Sequence, residues 1–365
     1  MKLNSLSLAN FRNYRSLDLE PAPGLNVFLG ANAQGKSNLL EAIAMLGTGK
    51  SFRTSKESDA IFNGGDIASV TGLAEVRAGT VRLSCSIATT PRGTRKIYTI
   101  NGDNVRYASF LGRARVVTFV PADLQLVGGS PSARRGMLNV ALAQEQPVYY
   151  RELARYQKTL SQKNALLKDD RVDEDLLAIY NRGLIESGTH LMLARAHYAS
   201  ALASAAAEVH SRWSNRAERL DVLYQPDVAS EVPTQDAVAA AFGARLRDRA
   251  DAERARRIAL VGPHRDDLVL LLDDGSLAAY GSQGQQRTAV LALKVAEYSV
   301  MRDRTGEAPL LLLDDVLSEL DEQRADAFLD GVGAFEQAFV TATHLPARLR
   351  DARTWTVKAA TLTAA

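Results

Sequence analysis

Gly30, Gly35, Lys36 and Ser37 are the first residues in this chain whose types and spacing could do chemistry. They fix the string Gly30-Ala31-Asn32-Ala33-Gln34-Gly35-Lys36-Ser37, with Asn38 next in line. Glycine permits the tight backbone that turns successive N–H groups toward one anion. A helix starting at Lys36 would add the positive end of its dipole. Lys36 offers a mobile charge for terminal phosphates, and Ser37 offers a hydroxyl for Mg²⁺. Residues 30 to 38 are therefore built to hold the phosphates of a nucleotide.

A second set lies far downstream. Leu310 to Leu313 run without interruption into Asp314 and Asp315. An all-apolar run of this length reads as a strand buried on both faces. Ligands gather at the carboxyl ends of strands in parallel sheets, so this strand would deliver its acids beside the phosphate loop. Asp314 is suited to hold Mg²⁺ through water, and Asp315 to polarise an attacking water. Upstream of both, Tyr280-Gly281-Ser282-Gln283-Gly284-Gln285-Gln286-Arg287 reads as the start of a helix. Ser282 is the N-cap and Gly284 leaves backbone N–H groups uncovered, which makes a second phosphate cradle.

These residues need elements to position them. Leu3, Leu6 and Leu8 lead into Phe11, and Leu17 and Leu19 follow at period two. The mostly apolar stretch 25–29 is a strand ending at Gly30. Leu39, Leu40, Ile43 and Leu46 give an apolar face to a helix from 36 to about 46. Strand character returns over 68–100, with Asn101-Gly102 as a turn, and again over 115–120. After Pro121 helical periodicity dominates to about 258. Pro131 opens one helix behind Ser130. Long helices over 147–167 and up to about 213 flank an acidic tip at 169–175, forming a short antiparallel arm. Strands at 268–272, 310–313 and 338–341 and helices from Gln283 and Asp321 complete the chain. The expected organisation is one α/β domain made of 1–120 and 259–365 around an inserted helical lobe, 121–258.

Composition sets further bounds. With 365 residues, 46% of them hydrophobic, the chain can bury about two lobes. Lys and Arg number 44 against 42 Asp and Glu, so any nucleic-acid binding must use a local patch. Cys85 is the only cysteine and can form no internal disulfide, in keeping with a reducing compartment. The opening MKLNSLSLANFRNYRS lacks the apolar core of a signal peptide. The longest apolar run, 237–244, is far short of the ~20 residues of a membrane span. A cytoplasmic protein without membrane segments is expected.

The order of phosphate loop, capped helix and acidic strand resembles the ABC-type ATPases, in which such a capped helix is the signature helix. Within that class the chain is similar to the RecF family. Asn10-Phe11-Arg12-Asn13-Tyr14, Gly262-Pro263-His264-Arg265-Asp266-Asp267, Gly281-Ser282-Gln283-Gly284-Gln285-Gln286-Arg287 and Leu313-Asp314-Asp315-Val316-Leu317-Ser318-Glu319-Leu320-Asp321 carry the resemblance. So does the segment from Phe119 through Pro121, Asp123, Leu124, Gly129, Ser130 and Pro131 to Arg134-Arg135. Transporter subunits have a shorter insertion, and SMC proteins have coiled coils of several hundred residues there.

The resemblance implies an SMC-head-like P-loop ATPase fold: a mixed sheet, antiparallel N-terminal strands, and an inserted helical lobe with a short arm. It implies ATP and Mg²⁺ as cofactors and an ATP-dependent homodimer. Ser282, Gly284 and Gln285 of one subunit would cap the ATP on its partner's P-loop. Arg12 would lie beside the phosphates, and Gln125 would sense Mg²⁺ between the lobes. Ser318-Glu319-Leu320-Asp321 would be the D-loop, and His344 would contact the γ-phosphate. Many ABC ATPases have glutamate where this chain has Asp315, so slow turnover is implied. The family also implies binding to DNA gaps and single-strand/duplex junctions, with RecR and RecO as partners and RecA loading as the outcome.

The residues themselves add a basic series: Arg134, Arg135, Arg151, Arg155, Lys158, Lys163 and Lys168. Arg151, Arg155 and Lys158 are spaced for one helical face that would suit phosphates of any sequence. No stacking platform of aromatics is visible along the chain.

Overall fold

The computed structural model describes residues 1–214, 216–316, 335–345 and 352–364. The string Ser318-Glu319-Leu320-Asp321 and the helix expected from Asp321 lie outside the described residues.

In chain order the strands are β1 (Lys2–Phe11), β2 (Tyr14–Leu19), β3 (Gly24–Leu29), β4 (Ile67–Val76), β5 (Gly79–Thr90), β6 (Gly93–Ile100) and β7 (Asp103–Val105). Then come β8 (Val116–Phe119), β9 (Leu220–Gln225), β10 (Asp267–Leu272), β11 (Gly275–Ser276), β12 (Leu310–Asp314), β13 (Gln337–Ala342), β14 (Arg353–Lys358) and β15 (Thr361–Ala364). The helices are α1 (Lys36–Thr48), α2 (Tyr107–Phe110), α3 (Gln125–Gly128), α4 (Pro131–Glu145) and α5 (Pro147–Leu166). They continue with α6 (Glu174–Trp213), α7 (Gln235–Asp248), α8 (Ala250–Arg256), α9 (Leu277–Tyr280) and α10 (Gln283–Thr305).

The central sheet has the order β15-β14-β3-β13-β12-β8. β14, β3, β13, β12 and β8 are parallel to their neighbours, and β15 is antiparallel to β14. Alternation along β12 shows why its leucines are continuous. Leu310 and Leu312 join Phe28, Val116, Phe339 and the apolar side of α1 in one core. Leu311 and Leu313 join Val117, Phe119, Ala338, Val340 and helix α10 in the other. A strand covered on both faces needs an apolar residue at every position, at ~1.5–3 kcal/mol per fully buried leucine.

On its other side α1 meets an antiparallel sheet of order β2-β1-β4-β5-β6-β7. Leu3, Leu6, Leu8, Val70 and Leu83 face Leu39, Leu40, Ile43 and Leu46 there. The helical lobe stands on the opposite face. α6 packs along both α5 and α10, and its 40 residues make it ~60 Å long. The acidic stretch between α5 and α6 is the tip, closed by Leu166, Leu167 and Leu177. No helix among the described residues is long and apolar enough to cross a membrane.

Five strands were not expected from the sequence: β7, β9, β11, β14 and β15. β9 pairs with β10, Leu220 opposite Leu272 through Gln225 opposite Asp267. That ladder joins residues from either side of the expected boundary at 258/259. Local periodicity cannot register such pairing, because the partner strand lies beyond two intervening helices.

Candidate nucleotide site

Strand order decides what meets the phosphate loop. β13 lies between β3 and β12, with Ala342 opposite Leu29 and Thr341 opposite Asp314. The loop after β3, the end of β13 and the acids of β12 therefore share one rim of the sheet. They line a half-open cavity of about 270 Å³, formed by residues 32–38 with Arg53, Asp314, Asp315 and Thr341. That is smaller than the ~300–1,000 Å³ of pockets that engulf a whole small ligand, so it suits phosphates with the rest of the nucleotide left outside.

Within it Lys36 donates to the carbonyls of Gly30 at 2.5 Å and Ala31 at 3.0 Å, which holds the loop curled. Ser37 Oγ donates to Asp314 Oδ1 at 2.8 Å. Asp315 follows with a φ of +54°, a left-handed conformation uncommon for a non-glycine residue. The loop is braced from outside. Gly35 has a φ of +115° and lies under Asn13 and Tyr14, where an added Cβ would come within 2.8 Å of both side chains. Tyr14 donates to the Gly35 carbonyl at 3.1 Å, and the Asn38 amide donates to Asn13 Oδ1 at 2.7 Å. The turn between β14 and β15 grips Gln34: Ala359 N–H donates to its Oε1 at 2.7 Å and Ala360 N–H to its carbonyl at 3.1 Å.

Sequence reasoning missed two members of the site. Thr341 Oγ1 donates to Asp314 Oδ1 at 2.8 Å and accepts from the Asp315 N–H at 2.8 Å. One hydroxyl thus ties the Asp314 carboxylate to the Asp315 backbone; its only signal was a threonine ending the strand before His344. Arg53 lines the cavity and donates to Asn38 Oδ1; nothing in its spacing marked it. Thr341→Val should lower single-turnover hydrolysis about 10- to 100-fold, because a bond to a charged group contributes ~1.5–3 kcal/mol. Thr341→Ser should restore it. Full activity in the valine variant would remove Thr341 from the site.

Other expected members lie elsewhere. Arg12 does not line the cavity. It forms a two-pronged pair with Glu41 of α1, at 2.8 Å from Nε and 2.5 Å from Nη2, and donates to the Asp59 carbonyl. A carboxylate with no exposed side-chain surface is the stronger partner for a guanidinium. Gln125 is exposed at the start of α3, away from the cavity's lining residues. His344 is exposed just beyond β13, with Nδ1 3.0 Å from Thr343 Oγ1. Ser282, Gly284 and Gln285 do not line the cavity either. They form the expected capped helix start: Ser282 Oγ accepts from Gln285 N–H at 3.2 Å, and Gln285 Oε1 accepts from Ser282 N–H at 2.8 Å. Ser282 is exposed. The glycine-rich loop at 30–38 and the capped start of α10 therefore do not share a cavity.

Ser37 and Asp314 are hard oxygen donors 2.8 Å apart at the loop, a fit for Mg²⁺. No cluster of three or more His, Cys, Asp or Glu exists among the described residues.

Residues 2–358 match the family described as RecF/RecN/SMC N terminal domain. The chain is 42% identical over 353 residues to the DNA replication and repair protein RecF of Symbiobacterium thermophilum, covering 94% of this chain and 92% of that one. The chain belongs to the RecF family. RecF of Acaryochloris marina is 38% identical over 370 residues, 98% of each chain. The solved structure of the recombination mediator protein RecF-ATPrS in the RecFOR pathway superposes with a TM-score of 0.91, at 32% identity over 100% of this chain and 98% of that one. The Smc head domain from Pyrococcus furiosus gives 0.58 at 16% identity, a likeness of fold. The α/β ABC-type ATPase fold expected from the motifs is therefore the fold of this RecF family member.

Another string that carried the family resemblance turns out to be a hub of the helical lobe. Asp266 is fully buried and accepts from Arg195 at 2.7 Å, Tyr224 at 2.5 Å and Asp227 N–H at 2.9 Å. Asp267 takes both prongs of Arg134, at 2.7 and 2.9 Å. His264 meets the Tyr156 hydroxyl at 2.6 Å, and burial holds its imidazole down at about 4. These pairs corrected the basic series. Arg134 is held by Asp267, Arg135 donates to the Asp266 carbonyl, and Lys163 is buried against Glu253 at 2.6 Å. Arg151, Arg155, Lys158 and Lys168 stay exposed.

Proposed function

We propose that this chain is an ATP-dependent DNA-binding protein of recombinational repair and replication-fork maintenance, working in the cytoplasm on nucleoid DNA. ATP closes two copies into a dimer on gapped DNA, at single-strand/duplex junctions. The dimer works with RecR and RecO toward RecA loading, and slow hydrolysis releases it. One observation supports the dimer: Ser282, at the capped start of α10, is exposed and does not line the P-loop cavity of its own chain. A second copy in two-fold relation would bring each Ser282 onto the other's nucleotide.

The geometry supports these roles. The loop N–H groups and Lys36 bind the phosphates, with Arg53 adding charge at the rim. Ser37 and Asp314 would hold Mg²⁺, whose charge offsets that of the phosphates. Asp315, whose backbone N–H donates to Thr341, accepts the proton of the attacking water. His344 sits past the end of β13, where it reaches the γ-phosphate as the dimer closes. Arg12 and Gln125 do not line the cavity, and neither is assigned a role. Asp315 is one methylene shorter than glutamate, so turnover below ~1 s⁻¹ is expected, stimulated by DNA.

The test is the solution mass with and without Mg²⁺-ATP, followed by binding to gapped and duplex DNA under both conditions. A nucleotide-dependent doubling together with ATP-dependent gap binding supports the reading. A monomer under every condition overturns it.

A further inference from the structure

Between α1 and helices α4 and α5 lies a second cavity of about 390 Å³. That is within the range of sites that take a small organic group. Its walls carry three aromatic rings from distant parts of the chain: Phe52, Tyr107 and Tyr150. Tyr107 and Tyr150 meet edge to face with centroids 5.2 Å apart. Lys50, on the lip, sets its ammonium 5.6 Å from the Tyr107 ring centre. Gln157 adds a carboxamide to the wall.

Helix α5 connects this cavity to the surviving basic face. Tyr150, Ala154 and Gln157 recur at helical spacing and line the cavity. Arg151, Arg155 and Lys158 form the next stripe, about 100° around the helix axis, and all three are exposed. Arg155 pairs with Glu186. Arg151 and Lys158 have no carboxylate partner among the described residues. A cationic track therefore runs alongside an aromatic-walled hole, the two components with which proteins hold single strands.

We propose that this cavity takes an unpaired nucleobase of single-stranded DNA while the phosphates follow the Arg151–Lys158 stripe. The proposal rests on the DNA-binding reading above and deepens it. A duplex keeps its bases stacked and paired, so only the single-stranded side of a junction can supply the occupant. Stacking on aromatic faces accepts any base, so no sequence preference follows. Preference for gaps over duplex then comes from this cavity, and general DNA affinity from the basic stripe.

Gly136 of α4 supplies a clean test. It lines the cavity, and a Cβ added there meets nothing within 4 Å. Gly136→Leu fills the space and also favours the helix. In the full-length protein with Mg²⁺-ATP, its affinity for gapped DNA should fall roughly 10-fold, while affinity for fully paired duplex stays within about twofold. Tyr150→Ala should do the same and Tyr150→Trp should not. A 2-aminopurine placed in the gap should be quenched by the wild type and not by Gly136→Leu. Unchanged gap affinity and persistent quenching in both Gly136→Leu and Tyr150→Ala would overturn the proposal. Quenching of free 2-aminopurine deoxynucleotide that dAMP reverses, with DNA binding unaffected by either variant, would make this a nucleotide site and also overturn it. Should the wild type bind neither gapped nor duplex DNA, the duplex measurement shows that the DNA reading itself has failed, and the proposal falls with it.

Discussion

Lys36→Met should weaken ATP binding at least ~100-fold and abolish the ATP-dependent dimer. Methionine keeps the length and flexibility of the side chain but removes its charge and its donors. Lys36 is only 7% exposed and is committed to the Gly30 and Ala31 carbonyls. Two losses combine. Charge-assisted bonds to phosphate oxygens go, each contributing ~1.5–3 kcal/mol. Two loop carbonyls also lose their donor, so the curl that aims the N–H groups is no longer held. Titration of a fluorescent ATP analogue reads the first effect, and solution mass reads the second. The melting temperature without nucleotide checks that the fold survives. Binding within about threefold of wild type would mean that the loop amides hold the phosphates without the lysine.

Ser282→Arg should leave ATP binding by the single chain within about threefold of wild type and eliminate the nucleotide-dependent dimer. The serine is exposed and outside the P-loop cavity, so its replacement leaves Lys36, Ser37 and Asp314 untouched. In the proposed dimer its backbone and that of Gly284 approach a partner's phosphates closely, and an arginine side chain would fill that approach. Losing the capping box itself costs about 1 kcal/mol, which frays the start of α10 without unfolding its buried body. Ser282→Ala separates the two effects, because it removes the cap without adding bulk. Light scattering should give twice the 39.5 kDa chain mass for wild type with Mg²⁺-ATP, an intermediate population for alanine, and monomer for arginine. A full dimer in the arginine variant would show that the second cradle faces no partner nucleotide.

The parts legible in the sequence share a property: their chemistry depends on residues adjacent along the chain. The glycines, Lys36 and Ser37 act through one loop and the helix it opens. Asp314 follows a run whose unbroken apolarity reports burial on both faces. Ser282 and Gln285 cap a helix through their own backbone. Each reads correctly because local backbone geometry and side-chain type are enough to determine it.

What the sequence left open depends on partners distant along the chain. Arg12 found Glu41, and Lys163 found Glu253. A long cationic side chain goes to whichever carboxylate the fold buries nearby, and composition does not name it. Strand order is likewise non-local. Because β13 inserts between β3 and β12, Thr341 came to bond the Asp314 carboxylate and the Asp315 backbone, and the β14–β15 turn came to brace the P-loop. Phe52, Tyr107 and Tyr150 show no pattern in one dimension, yet they wall one cavity once α1 packs against the helical lobe. The sequence by itself determined a glycine-rich loop at 30–38 between a strand and a helix, and a buried strand ending in Asp314. Only the tertiary structure decided which side chains surround that loop, because sheet order and ion pairing are set by contacts that close long loops of chain.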